Sequence, residues 1–192
     1  AAAMGPAMPN KAGGQTLIVD CGANAECTPE FLLQFGLVGS AYAQSKLGVA
    51  EPKVGLLNIG TEDSKGTDLQ RQAYGLLKDA SDKGLLNFVG NVEARDVPLG
   101  AVDVVVCDGF VGNTIIKQVE GVYSMALHDG LKNSYFNKLN YETVGGTPVL
   151  GINAPVLIGH GCSSAEAIKN MVLQTEKTIK AQLDSKLRER FS

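Results

Sequence analysis

The stretch DVVVCDGFVGN, residues 103–113, decides how the rest of the chain is read. It opens in an almost unbroken β-branched run (VDVVVC, residues 102–107). A strand covered on both faces looks like this, because neither set of alternate side chains meets water. Asp108, Gly109, Gly112 and Asn113 follow, and Gly112 to about Leu131 predicts a helix. A buried strand that runs through a glycine turn into a helix is a join at which parallel sheets bind ligands.

The same grammar recurs toward the N-terminus. TLIVD (16–20) is a short apolar strand between Gly13-Gly14 and Gly22. Thr28 is a good N-cap and Pro29 suits a first helical position. The helix they start carries Phe31, Leu32, Leu33, Phe35, Leu37 and Val38, apolar nearly all round as in a buried helix, and runs to about Leu47 before Gly48. KVGLLNI (53–59) is a second strand, 60–66 a polar loop, and 67–83 an amphipathic helix with Leu69, Ala73, Leu76 and Leu77 on one side. Residues 85–89 predict a third strand. Toward the C-terminus, 149–160 predicts one or two strands broken near Asn153-Ala154-Pro155. Residues 163–190 predict a long helix opened by a Ser163/Glu166 capping box. Residues 1–14, small and rich in Gly and Pro, receive no element. Strand and helix alternate at least four times, which defines a doubly wound, mostly parallel α/β sheet in a single domain over residues 1–192.

Composition narrows the function. The net charge of −3 leaves no basic stripe for nucleic acid. A basic stretch does lie in the last helix (Lys169, Lys177, Lys180, Lys186, Arg188, Arg190) and suits an acidic partner. The four cysteines, Cys21, Cys27, Cys107 and Cys162, form no C-x-x-C pair, so zinc is not expected and the thiols are read as free, in a reducing cytoplasm. No secretory signal or membrane span is legible.

The loops behind the strands carry the chemistry. They are Asp20-Cys21-Gly22-Ala23-Asn24; Asn58-Ile59-Gly60 with Lys65-Gly66; Gly90-Asn91 through Glu93 to Asp96; Asp108 to Asn113; and Gly159-His160-Gly161-Cys162-Ser163. Glycine lets backbone N–H groups approach a ligand, and a helix start adds a dipole that favours phosphate. A Gly-Asn pair alone is more often a plain turn, Lys65 alone a solvated lysine, and Asp20 or Asp108 alone a turn brace. Five such loops on one rim of one sheet point instead to an oxyanion site. Neither a Walker A loop nor G-x-G-x-x-G is present. His128, within a helix, reads as a surface residue; His160 is the better candidate for proton contact. Nothing pairs a cysteine with His160, so the thiols read as packing groups rather than nucleophiles.

Taken in order, DCGAN (20–24), VGLLNIG (54–60) with Lys65-Gly66, FVGNVEARD (88–96), DVVVCDGFVGN (103–113) and GHGCSSAEAIKN (159–170) resemble the bacterial phosphate acyltransferase family of phospholipid synthesis, PlsX. The resemblance implies acyl transfer from acyl carrier protein to phosphate, giving an acyl phosphate that a membrane glycerol-3-phosphate acyltransferase consumes. It implies a fold like phosphotransacetylase and the isocitrate/isopropylmalate dehydrogenases, a homodimer, and no metal or organic cofactor. It also implies a cytoplasmic protein, with peripheral contact at the membrane. Family members carry an earlier N-terminal portion with an Asp-Ala-Met-Gly-Gly-Asp type motif, and residues 1–14 read as mid-chain. The segment 133–140 is shorter than the apolar, membrane-touching loop usual in the family.

On this basis Lys65, Asp108, Asn113 and His160 are the expected catalytic residues, and Gly109, Gly112, Gly161 and Ser163 the expected phosphate cradle. Asp20, Gly22, Asn24, Asn58, Gly60, Asn91 and Glu93 are expected to line the substrate site. The rivals are a short-chain phosphotransacetylase using coenzyme A, and a metal-dependent dehydrogenase, for which no aspartate cluster is seen. A non-catalytic fragment acting in binding or dimerisation is the third.

Overall fold

The computed structural model describes residues 1–131, 133–139, 145–159, 161 and 163–180. Its centre is a five-stranded sheet built from β2 (Ala7–Pro9), β3 (Gln15–Val19), β4 (Lys53–Leu57), β5 (Asn87–Val92) and β6 (Val104–Val106), in the spatial order β2-β3-β6-β4-β5. β3, β6, β4 and β5 are parallel, and β2 closes one edge antiparallel to β3. The mostly parallel α/β reading therefore holds.

Alternation along each strand divides the core in two. Leu17, Val19, Val54, Leu56, Val104 and Val106 pack with α1 (Pro29–Tyr42) and α2 (Asp68–Asp82). Ile18 and Val105 belong to a second cluster with Val97 of the 3-10 helix Ala94–Leu99, bordered by Val111, Ile115, Ile116 and Val119 of α3 (Gly109–His128). Both faces are covered, as the continuous β-branched run required. α1 is capped by Thr28, whose hydroxyl accepts from the Phe31 amide, and widens into a π turn, Ala43–Leu47, that stops at Gly48. Gly36 and Gly39 let it press onto Leu77 and Val104.

Four features differ from expectation. The first nine residues hold two strands, β1 (Ala3–Met4) and β2; two or three residues are too few for any periodicity to register. β5 lies two to three residues beyond the predicted 85–89, because Gly90-Asn91 continues the strand past a bulge at Val89 rather than forming a turn after it. Val54 pairs with Phe88 and Gly55 with Gly90, so Val89 is the extra residue, and Gly90 takes φ 100°. α3 begins at Gly109, three residues before the predicted start, since Asp108 is the N-cap.

The fourth difference affects the site most. β7 (Thr147–Leu150) and β8 (Val156–Ile158) form a hairpin that pairs with β1 in a separate three-stranded antiparallel sheet. β8 is thus not a strand of the parallel sheet, and Gly161 and Ser163 follow a strand of the other sheet. α4 (Ser134–Lys138) precedes β7, and α5 (Ala165–Lys180) follows β8. The α5 cap is Ser164, whose hydroxyl accepts from the Ala167 amide, rather than Ser163.

Candidate functional site

Four loops leave the carboxyl rim of the parallel strands side by side: 20–24 after β3, 108–113 after β6, 58–66 after β4, and 93–96 after β5. Neighbouring strands lie about 4.8 Å apart, so the first three loops crowd a short arc.

Asp20 organises the first loop. It is fully buried, and its carboxylate accepts from five N–H groups. Oδ1 takes the Met4 amide at 2.7 Å, the Cys21 amide at 2.7 Å and the Ala23 amide at 3.3 Å. Oδ2 takes the Asn24 amide at 2.6 Å and the Asn24 side chain at 3.0 Å. Asn24 also donates to the Ala2 carbonyl at 2.7 Å, and its own carbonyl accepts the Gly109 amide at 2.8 Å. Both side chains, expected to touch substrate, are engaged in joining the chain's opening strand, the 20–24 loop and the start of α3.

The glycines of α3 have the same explanation. A Cβ on Gly109 would lie 2.6 Å from the Asn24 carbonyl oxygen; one on Gly112 would lie 1.9 Å from the Asp20 carbonyl oxygen and 3.0 Å from Cys107 Sγ. The Gly109 amide binds Asn24 O, the Val111 amide binds Asp108 Oδ1 at 2.8 Å, and the Gly112 amide binds Asp108 O at 3.0 Å. The Gly109 and Gly112 amides, expected to cradle phosphate, are therefore taken. Gly22 and Asn113 do come together: the Asn113 side chain lies 3.8 Å from where a Gly22 Cβ would stand, and it is exposed.

The 58–66 loop is tied internally. The Asn58 amide donates to Val92 O, its Nδ2 to Lys65 O at 3.1 Å, and its Oδ1 accepts the Ile59 amide at 2.8 Å. Asn91, buried on β5, donates Nδ2 to Glu62 O at 2.7 Å. Gly60 makes room for Glu62 and Lys65. The Lys65 ammonium sits 4.0 Å from a Glu62 carboxylate oxygen, both side chains well exposed. Exposed pairs of this kind contribute about 0–1 kcal/mol, so the cation is available to an arriving anion. Glu93, next to Val92, pairs with Arg95 at 2.6 Å. His160 and Cys162 lie outside the described residues.

Two rim residues escaped the sequence reading. Ile59, on the loop after β4, is 82% exposed, and Phe110, in the first turn of α3 after the adjacent β6, is 70% exposed. Their signal was an apolar side chain set between a strand end and a glycine.

The three described thiols, Cys21, Cys27 and Cys107, are free and wholly or partly buried, as packing groups are. Burial pushes Cys21 and Cys107 far up, with Asp20 adding to the effect at Cys21 and the Cys21 and Asp108 charges at Cys107. Cys27 is raised to about 11, chiefly by desolvation, with Asp108 and Asp20 outweighed in part by the Gly109 amide. A raised thiol pKa keeps the unreactive protonated form. Alkylation of Cys27 by iodoacetamide, followed peptide by peptide, should therefore climb about tenfold per pH unit from roughly pH 8 to 10. A plateau by about pH 9.5, as for an ordinary thiol, would show that desolvation is not acting on it. Among the described residues no three His, Cys, Asp or Glu side chains gather to hold a metal ion.

A doubly covered parallel sheet with its loops along one carboxyl rim is the architecture of the phosphotransacetylases. The chain superposes on EutD phosphotransacetylase from Staphylococcus aureus with a TM-score of 0.61 at 20% identity, covering 93% of this chain and 54% of that one. It superposes on a branched-chain phosphotransacylase from Enterococcus faecalis with a TM-score of 0.64 at 18% identity, covering 92% and 65%. Residues 1–186 match the family described as fatty acid synthesis protein, and the chain belongs to that family, the bacterial phosphate acyltransferases. It is 43% identical to a phosphate acyltransferase of Alkaliphilus oremlandii over 99% of this chain and 60% of the relative. One from Clostridium perfringens is 42% identical over the same shares, 99% and 60%. The chain thus spans about 60% of the length of these relatives.

Proposed function

We propose that the protein transfers a fatty acyl group from the thioester of acyl carrier protein to inorganic phosphate, giving acyl phosphate for phospholipid synthesis. Membership of the phosphate acyltransferase family carries the reading. The rim supports it by setting an available cation, an exposed amide and apolar side chains on neighbouring loops.

A phosphate oxygen attacks the thioester carbonyl carbon; the C–O bond forms, the C–S bond breaks, and the electron pair leaves on sulfur, which takes up a proton. Phosphate is nucleophilic enough that no acyl-enzyme is needed. The protein's work is to hold the anion and stabilise the developing oxyanion. Lys65 holds phosphate, Asn113 donates to the oxyanion, and Asp108, with Oδ1 engaged by its helix, orients a phosphate proton through its other oxygen. Ile59 and Phe110 offer apolar surface to the acyl chain.

The acidic carrier meets the α5 side of the molecule. There Lys169 and Lys180 pair with Glu166 and Glu176, leaving Lys177 with Lys46. Lys46 is held below the usual lysine range, first by burial and then by the Lys177 charge. Of the other basic residues of that segment, Lys186, Arg188 and Arg190 lie outside the described residues. Homodimerisation, supply of acyl phosphate to a membrane glycerol-3-phosphate acyltransferase, and a cytoplasmic location with peripheral membrane contact complete the proposal. Among the described residues no helix is long and apolar enough to cross a membrane.

The test is phosphate-dependent release of free carrier thiol with formation of acyl phosphate. Lys65→Ala should lower kcat/KM about a hundredfold, as expected for removal of one well-placed electrostatic contact. Carrier release that ignores phosphate would sink the proposal. Faster turnover of acetyl-CoA than of long-chain acyl carrier would favour a phosphotransacetylase.

A further inference from the structure

Asn91 is a costly residue where it stands. It lies on β5 opposite Leu56, only 7% exposed, and its Oδ1 has no hydrogen-bond partner among the described residues. A buried polar atom left unpaired is destabilising, so an apolar side chain here would give a more stable sheet. What Asn91 does supply is one N–H bond, and its target is informative. The Glu62 carbonyl that accepts Asn91 Nδ2 at 2.7 Å also accepts the Lys65 amide at 3.1 Å. On the other side of the same residue, the Lys65 carbonyl accepts Asn58 Nδ2 at 3.1 Å. Asn58 is itself bonded to β5 through Val92 O at 2.9 Å. Lys65 is thus tied at its carbonyl by Asn58 directly and at its amide through the Glu62 carbonyl that Asn91 binds, while its ammonium remains exposed.

We infer that Asn58 and Asn91 are positioning residues that fix the Lys65 backbone so that its ammonium meets the attacking phosphate. The inference rests on Lys65 serving as the phosphate cation in the proposed reaction. A lysine on a free loop would lose backbone as well as side-chain freedom when it grips an anion. Here the backbone part of that loss has already occurred on folding, which favours binding and alignment of phosphate. Neither asparagine needs to touch substrate.

The experiment is a double-mutant cycle in the whole protein, with KM for phosphate and kcat measured separately. Asn91→Ala should raise the phosphate KM about tenfold and leave the KM for acyl carrier within about twofold. Because Asn91 acts through Lys65, the pair Asn91→Ala/Lys65→Ala should match Lys65→Ala alone to within about twofold. Effects that multiply would overturn the inference, since Asn91 would then act independently. A fully active Lys65→Ala would also overturn it while leaving the acyltransferase reading standing. If the unmutated protein shows no phosphate-dependent turnover, that reading fails instead. Amide exchange then decides the clamp: Asn91→Ala must speed exchange at Lys65 with β4 and β6 unaffected, or the clamp is refuted. Should Asn91→Ala not fold, Asn58→Ala, which frees the other end of Lys65, carries the same cycle.

Discussion

Gly112→Ala should lower the free energy of unfolding by about 3 kcal/mol or more, a large part of the stability of an ordinary domain. The new methyl carbon would stand 1.9 Å from the Asp20 carbonyl oxygen, well inside van der Waals contact, and 3.0 Å from the buried Cys107 sulfur. The two nearest atoms are backbone, the Asp20 carbonyl oxygen and its carbon, so no flexible side chain can swing aside to relieve the clash. Alanine is the better helix former by about 1 kcal/mol, which offsets only part of the clash. Urea unfolding measures the loss. A variant within about 1 kcal/mol of the parent would mean that α3 can slide away from the 20–24 loop at little cost.

Asp20→Asn is expected to cost about 3 kcal/mol, although it changes neither size nor shape. The carboxylate accepts at both oxygens and donates at neither. An amide nitrogen in place of Oδ2 would point its hydrogens at the Asn24 amide and side chain. The bonds that survive at Oδ1 would lose the strength that charge lends them. Because Asn24 in turn holds the Gly109 amide, activity should fall along with stability. A variant of full stability would show that the carboxylate does not organise the loop.

The sheet was legible because its strands are short β-branched runs separated by good caps. Thr28-Pro29, the stop at Gly48 and the run at Val104–Val106 all stand where their chemistry placed them. The opening strands were not legible, since β1 and β2 depend on pairing with residues far along the chain rather than on their own pattern. The site was half legible. Asp20 bonds Asn24, Asn58 bonds Lys65, Asn91 bonds Glu62, and Asn113 lies beside Gly22, all at or just behind the ends of parallel strands. Gly109 and Gly112 show why no more was legible: glycine clears space, and sequence alone does not say whether a ligand or another stretch of backbone fills it. Likewise Asn58 and Asn91, read as substrate contacts, each donate a side-chain bond to the 62–65 backbone, a partner that sequence alone does not reveal. β8 was assigned to the parallel sheet because a two-sheet topology is invisible to local pattern.

Residues 3–9 have a mechanical consequence. β1 belongs to the hairpin sheet and β2 to the parallel sheet, with only Gly5 and Pro6 between them. Even those two are bonded, the Gly5 amide to Pro148 O at 3.0 Å and the Pro6 carbonyl to the Ile18 amide at 3.1 Å. The two sheets are therefore basted together by a stitch too short to stretch, and a displacement of the hairpin would tug directly on the strand whose end carries Asp20.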